Sequence, residues 1–148
     1  MTAYYSINPQ FYVSVDCIIF GLNEGELSLL LLKRNFEPEK GKWSLMGGFV
    51  QNDESVDDAA KRVLKELTGL ENVYMEQVGT FGEINRDPGE RVISVAYYAL
   101  INVDEYDRKL VEKHHAKWMN IHDLPELSFD HPEMIEKAKG MMRRKASH

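Results

Sequence analysis

Hydrophobic and polar positions alternate along residues 11–20, where Phe11, Val13, Val15, Cys17 and Ile19 interleave with Tyr12, Ser14, Asp16, Ile18 and Phe20. This period of two predicts a β-strand. Asn23-Glu24-Gly25-Glu26 reads as a hairpin turn into a second strand over residues 27–33, whose nearly unbroken leucines predict burial on both faces at the centre of a sheet. A polar loop, 35–42, leads to a third apolar segment, 43–50. The adjacent Gly47 and Gly48 inside it mark a backbone that something approaches closely, either a ligand or another strand.

Beyond Ser55 the period lengthens to that of a helix. Val56, Ala59, Ala60, Val63, Leu64 and Leu67 recur at helical spacing, Ser55 with Asp58 fits a capping box, and Gly69 is placed to stop the helix after Thr68. Two more strands are predicted over 73–81 and 92–103, joined by the turn-rich loop 82–91, and a short strand is expected around Trp118. A last helix begins at Pro132, capped by Asp130 or His131, and ends in Arg143-Arg144-Lys145, cations that suit a helix C-terminus. No repeat, low-complexity stretch or linker divides the chain, so residues 1–148 read as one domain.

Composition narrows the function. With 148 residues and 43% apolar content the chain can bury a core without disulfides. Its 18 basic against 24 acidic residues give a net charge of −6, which argues against direct binding to a phosphate backbone. The lone Cys17, set in an apolar alternation, reads as an inert core thiol of a protein from a reducing compartment. No apolar run is long enough to span a bilayer, and the expectation is a soluble, cytoplasmic protein without membrane partners. His114 and His115 lie beside no ligand-like spacing and are assigned no role.

Gly48, Glu54, Arg62, Glu66 and Gly69, with Leu64 and Leu70 at aliphatic places, follow the spacing G-x5-E-x7-R-E-U-x-E-E-x-G-U. On these residues the chain resembles the Nudix superfamily, and Lys42-Trp43-Ser44-Leu45-Met46-Gly47-Gly48 is similar to the segment that precedes the box in that family. The resemblance implies an α/β Nudix fold, a curved mixed sheet sandwiched between helices. In active members the box glutamates hold Mg²⁺ for pyrophosphate cleavage. Two of those positions are Val63 and Leu67, so the expectation is a domain with no catalytic residues, no metal and no cofactor. Arg62 with Glu54 is expected to form an internal ion pair that holds the box loop.

The stretches 74–82, 86–91, 92–98 and 127–131 resemble the Nudix-related transcription regulators and their hydrolase relatives. Loss of the metal carboxylates is most similar to the arabinose-responsive regulators of bacterial sugar utilisation. That resemblance implies a homodimeric, sugar-sensing domain, with L-arabinose as the expected effector and DNA bound only through a C-terminal winged helix-turn-helix beyond residue 148. Arg34, Trp43, Gly47, Gly48, Asp87, Glu90 and Arg91 are the expected ligand contacts: cations and acids for hydroxyls, an indole for a sugar face, and an open backbone. The apolar Tyr4-Tyr5 suits a subunit contact. The competing readings are a working hydrolase of ADP-ribose or a related nucleoside diphosphate, and a purely structural relic.

Overall fold

The computed structural model of the chain describes residues 3–146. A short helix, α1 (Ala3–Ser6), precedes the expected hairpin of β1 (Tyr12–Asn23) and β2 (Glu26–Lys33), which pair antiparallel with Asn23 opposite Glu26. Glu24 and Gly25 make the turn at φ of 52° and 83°, a left-handed conformation that glycine adopts without a Cβ penalty. The apolar segment 43–50 is two short strands, β3 (Trp43–Ser44) on β2 and β4 (Met46–Phe49) on β1. Leu45, between them, donates its N–H to Nδ1 of His131 at 3.2 Å instead of to a neighbouring strand.

Helix α2 (Val56–Thr68) begins as its sequence predicts. The Ser55 hydroxyl accepts from the Asp58 N–H at 3.0 Å, and Gly69, at φ 81°, ends the helix with its N–H on the Lys65 carbonyl. Strand β5 (Glu76–Phe81) starts later than the expected residue 73, because Asn72 at φ 58° turns residues 71–75 off the sheet. It pairs antiparallel with β6 (Val92–Asn102), which runs parallel to β1. Helix α3 (Glu105–Lys113), β7 (Ala116–Asn120) on β2, and α4 (His131–Ala146) complete the chain. Helix α3 carries few apolar residues, too few to announce it as a core helix. Its one local signal is Asp104, whose side chain accepts from the Asp107 N–H at 2.7 Å.

The strands form one mixed sheet in the order β3-β2-β1-β6-β5, with β4 added on β1 and β7 on β2. Alternation along β1 feeds both layers. Val15, Cys17 and Ile19 pack against α2 and Val111 of α3, while Ile18 and Phe20 pack against Met134, Ile135 and Ala138 of α4. Leu29, Leu30 and Leu31 of β2 are all fully buried, as a central strand requires, and such a side chain contributes about 1.5–3 kcal/mol by leaving water. The expected sheet between helices is therefore present. Cys17 lies inside the α2 layer with its thiol 3.5 Å from the Ala60 carbonyl; burial, reinforced by Asp16, pushes its pKa up and leaves it unreactive. No helix among the described residues is long and apolar enough to cross a membrane.

Candidate functional site

The box loop is closed by one ion pair. Arg62 reaches back from α2 and donates Nε to Glu54 Oε2 at 2.8 Å and Nη2 to Glu54 Oε1 at 2.7 Å, a bidentate fork; the same Nη2 bonds the Phe49 carbonyl at 2.8 Å. The hydrogen bonds from Arg62 hold the Glu54 carboxyl below its usual range, and in return Glu54 raises the guanidinium against the opposing effect of desolvation. Strand β4, the loop and the helix are thus pinned together, as the spacing of Glu54 and Arg62 leads one to expect.

The glycine pair is approached by protein. A Cβ on Gly48 would stand 2.8 Å from Cγ2 of Val63, and one on Gly47 would stand 2.5 Å from Oδ1 of Asp16. Both distances are shorter than packed side chains tolerate, so α2 and the Asp16 side chain lie directly against the β4 backbone. Of the two causes the glycines admit, a neighbouring element accounts for their Cβ sides.

A divalent cation, which the family's box glutamates imply, does not match the donors present. Val63 is 2% exposed and belongs to the core, Leu67 packs against the same cluster, both Glu54 oxygens are engaged by Arg62, and Glu66 projects into solvent toward Arg62 Nη1 at 3.2 Å. Magnesium asks for oxygen ligands in near-octahedral array, and two methyl-bearing side chains occupy the places that would supply them. Among the described residues no group of three or more His, Cys, Asp or Glu side chains is placed to share an ion.

The expected ligand residues sit in two groups. Arg34 follows β2, donates Nε to the Pro38 carbonyl at 2.8 Å, and is stacked between Phe36 and Phe129 with ring centroids at 4.6 and 4.9 Å. Trp43, half-buried in β3, packs on the α4 layer. In the loop 82–91, Asp87 accepts the Gly89 N–H at 2.7 Å, Glu90 is exposed, and Arg91 bonds the Glu83 carbonyl at 3.3 Å while lying 5.0 Å over Phe11. His114 is tied to its own helix, with Nδ1 2.9 Å from the Leu110 carbonyl. Tyr4 and Tyr5 are exposed, edge to face with centroids 5.6 Å apart.

Sequence reasoning missed a buried polar cluster on the α4 face. Arg86 forks onto Asp130 through Nε at 2.9 Å and Nη2 at 2.8 Å, and Nη2 lies 3.9 Å from Asp16. Because Leu45 N–H donates to Nδ1 of His131, the proton sits on Nε2, which donates to Asp16 Oδ1 at 3.2 Å; Ser94 donates its hydroxyl to Oδ2 of the same carboxylate. The side chains of Arg86, Asp16 and Asp130 are only 3%, 6% and 10% exposed. Burial alone would lower the Arg86 pKa, but the hydrogen bonds and charge of Asp130, with Asp16 and Asp87 behind it, hold it above its ordinary value. Asp130 and His131 therefore do not cap α4 with their side chains, as the sequence suggests; both are engaged across the sheet. The signal was present in Asp16, an acid inside an apolar central strand.

A mixed sheet between helices, with a glycine-bearing strand, an Arg–Glu clamped loop and a helix in series, defines a Nudix domain. Residues 11–138 match the NUDIX domain family model, and the chain belongs to that family. It is 33% identical over 144 residues to the ADPR responsive transcriptional repressor NtrR of Acinetobacter baylyi, covering 95% of this chain and 58% of the repressor, so the chain spans little more than half of that relative. It is 32% identical over 128 residues to the ADP-ribose pyrophosphatase of Methanocaldococcus jannaschii, covering 86% of this chain and 75% of that enzyme. Among solved structures, the NUDIX domain of Shewanella oneidensis NrtR complexed with ADP ribose superposes with a TM-score of 0.80 at 30% identity, covering 96% of this chain and 99% of that one.

Proposed function

We propose that this chain is the effector-sensing domain of a Nudix-type transcriptional regulator, which binds an ADP-ribose-like nucleoside diphosphate sugar and does not cleave it. The observation that carries the reading is the exchange of acid for packing at Val63 and Leu67 while the Glu54–Arg62 clamp and the glycine strand are kept. The site's frame persists without its means of activating water at a metal. Arg34 and Arg91 would offer positive charge for a diphosphate, Asp87 and Glu90 would accept sugar hydroxyls, and Trp43 would offer an aromatic face. DNA would be met through residues outside this chain, in keeping with its coverage of 58% of the repressor. Two copies pairing through Tyr4 and Tyr5 would present two such heads, in the cytoplasm where such a regulator works.

L-arabinose, the effector the sequence suggests, has no counterpart among the relatives described above, whose names point to ADP-ribose. Thermal denaturation with each ligand separates the two. At about 100 times its dissociation constant a ligand adds roughly 2.7 kcal/mol, which for a domain of this size raises Tm by about 5–10 °C. ADP-ribose should produce that shift and L-arabinose none. The reverse result overturns the choice of effector, and no shift with either overturns the sensing role. A second reading, an ADP-ribose hydrolase, is favoured by the likeness to the archaeal pyrophosphatase and by the surviving Glu54 and Glu66.

A further inference from the structure

A sizeable cavity lies away from the box loop. A groove of about 960 Å³ runs between α2 and residues 71–77, on the side of the helix away from Val63, and none of the expected ligand residues lines it. Its floor is apolar, with Leu64 and Leu70 buried and Met75 half-buried. One end is polar and organised. Tyr97 donates its hydroxyl to Asp57 Oδ1, and Gln77 Nε2 donates to the Tyr97 oxygen at 3.2 Å. Burial, with Asp57 beside it, pushes the Tyr97 hydroxyl up to about 12, so it stays protonated and keeps that direction of donation. Asp57 Oδ2 and Gln77 Oε1 take no other hydrogen bond among the described residues, which leaves two acceptors together at the head of the groove.

The charges around the groove cancel in pairs except for Asp57 and Lys61, since the hydroxyl that Asp57 holds is neutral. Lys65 binds Glu71 at 3.2 Å, Glu76 binds Lys145, and Asp57 binds the tyrosine hydroxyl. Lys61 has no ion-pair or hydrogen-bond partner among the described residues and stands one helical turn beyond Asp57. That turn is about 6 Å along the axis, the spacing of a pentose diol from a phosphate on its 5′ carbon. Tyr74, 79% exposed, stands on the opposite wall with its ring available for stacking.

We infer that this groove is a second small-molecule site, for a nucleoside 5′-monophosphate: the base on Tyr74 and the apolar floor, the ribose hydroxyls on Asp57 and Gln77, the phosphate on Lys61. Two acceptors suit a diol, a lone cation suits one phosphate, and an apolar floor beside an exposed ring suits a flat heterocycle. Its recognition is independent of the effector reading, since no residue is shared.

The test is calorimetric titration of the whole chain with AMP, adenosine and ribose 5-phosphate, using the wild type, Lys61→Glu and Tyr74→Ala. Lys61 and Tyr74 are exposed, and unchanged melting temperatures would establish that both variants fold. AMP should bind the wild type, and each substitution should weaken it by about tenfold or more. Adenosine should be weakened by Tyr74→Ala but not by Lys61→Glu, and ribose 5-phosphate by Lys61→Glu but not by Tyr74→Ala. An Arg34→Ala, Arg91→Ala chain should bind AMP as the wild type does. Absence of AMP binding, indifference to Lys61→Glu and Tyr74→Ala, or loss of AMP binding in the Arg34→Ala, Arg91→Ala chain would each overturn the assignment.

Discussion

The two faces of the central sheet treat charge in opposite ways. On the α2 face, where a Nudix hydrolase gathers carboxylates, this chain has Val63 in the core and Leu67 against it, and the remaining Glu54 is neutralised by Arg62. On the α4 face, where the sequence offers no catalytic motif, Asp16, Arg86, Asp130 and His131 converge from three separate segments and are buried together. The buried ions there join the loop 82–91, β1 and the start of α4, and through His131 they meet the Leu45 backbone between β3 and β4. Acidic residues on this scaffold are therefore no measure of catalysis. What separates the faces is geometry: one lacks an array that an ion could accept, the other holds an array already satisfied internally.

Removing charge from the α4 face, or restoring it to the α2 face, should upset this division. Arg86→Ala leaves Asp16 and Asp130 buried without a cation, and uncompensated buried charge costs about 3–5 kcal/mol. Urea denaturation should show that loss, and a change under about 1 kcal/mol would mean the cluster is not the closed network described. Val63→Glu places an unpaired carboxylate against Gly48 and should destabilise by about 3 kcal/mol without creating hydrolysis, since the neighbouring ligand positions stay apolar. A stable Val63→Glu chain that cleaves ADP-ribose would show the metal site to be one substitution away.

Smaller changes sharpen the picture. Gly48→Ala should cost about 1–3 kcal/mol because its Cβ would meet Val63 at 2.8 Å. The same substitution in a Val63→Ala background should cost clearly less, and additive losses would show that the contact does not set the strand-to-helix distance. The smallest effect concerns pH. Glu54 is held below its ordinary pKa by Arg62, so its contribution is present above the unfolded carboxylate value and is lost as pH falls through the folded one. Glu54→Gln should flatten the acid limb of a stability–pH curve, and an unchanged limb would mean the clamp carries no linkage.

Legibility in the sequence followed the range of the interactions. Ser55, Gly69, the β1–β2 turn and the Glu54–Arg62 spacing act over a few residues or one helix, and their residue types announce them. Helix α3 escaped because its nine residues are chiefly charged and only Leu110 and Val111 offer it aliphatic anchors. The Arg86–Asp130 fork spans 44 positions and the Asp16–Ser94 bond spans 78, so neither partner points to the other along the chain. The groove on the far side of α2 was equally hidden, since Asp57, Lys61, Gln77 and Tyr97 form no sequence pattern.

We propose that the Nudix frame survives as a receptor for a nucleoside diphosphate sugar that it leaves intact. The most direct test is one sample of the chain with ADP-ribose and Mn²⁺, in which heat of binding is measured and the ligand is then resolved by chromatography. The expected result is saturable binding with ADP-ribose recovered whole. AMP and ribose 5-phosphate appearing at about 1 s⁻¹, an ordinary enzymatic turnover, would contradict it.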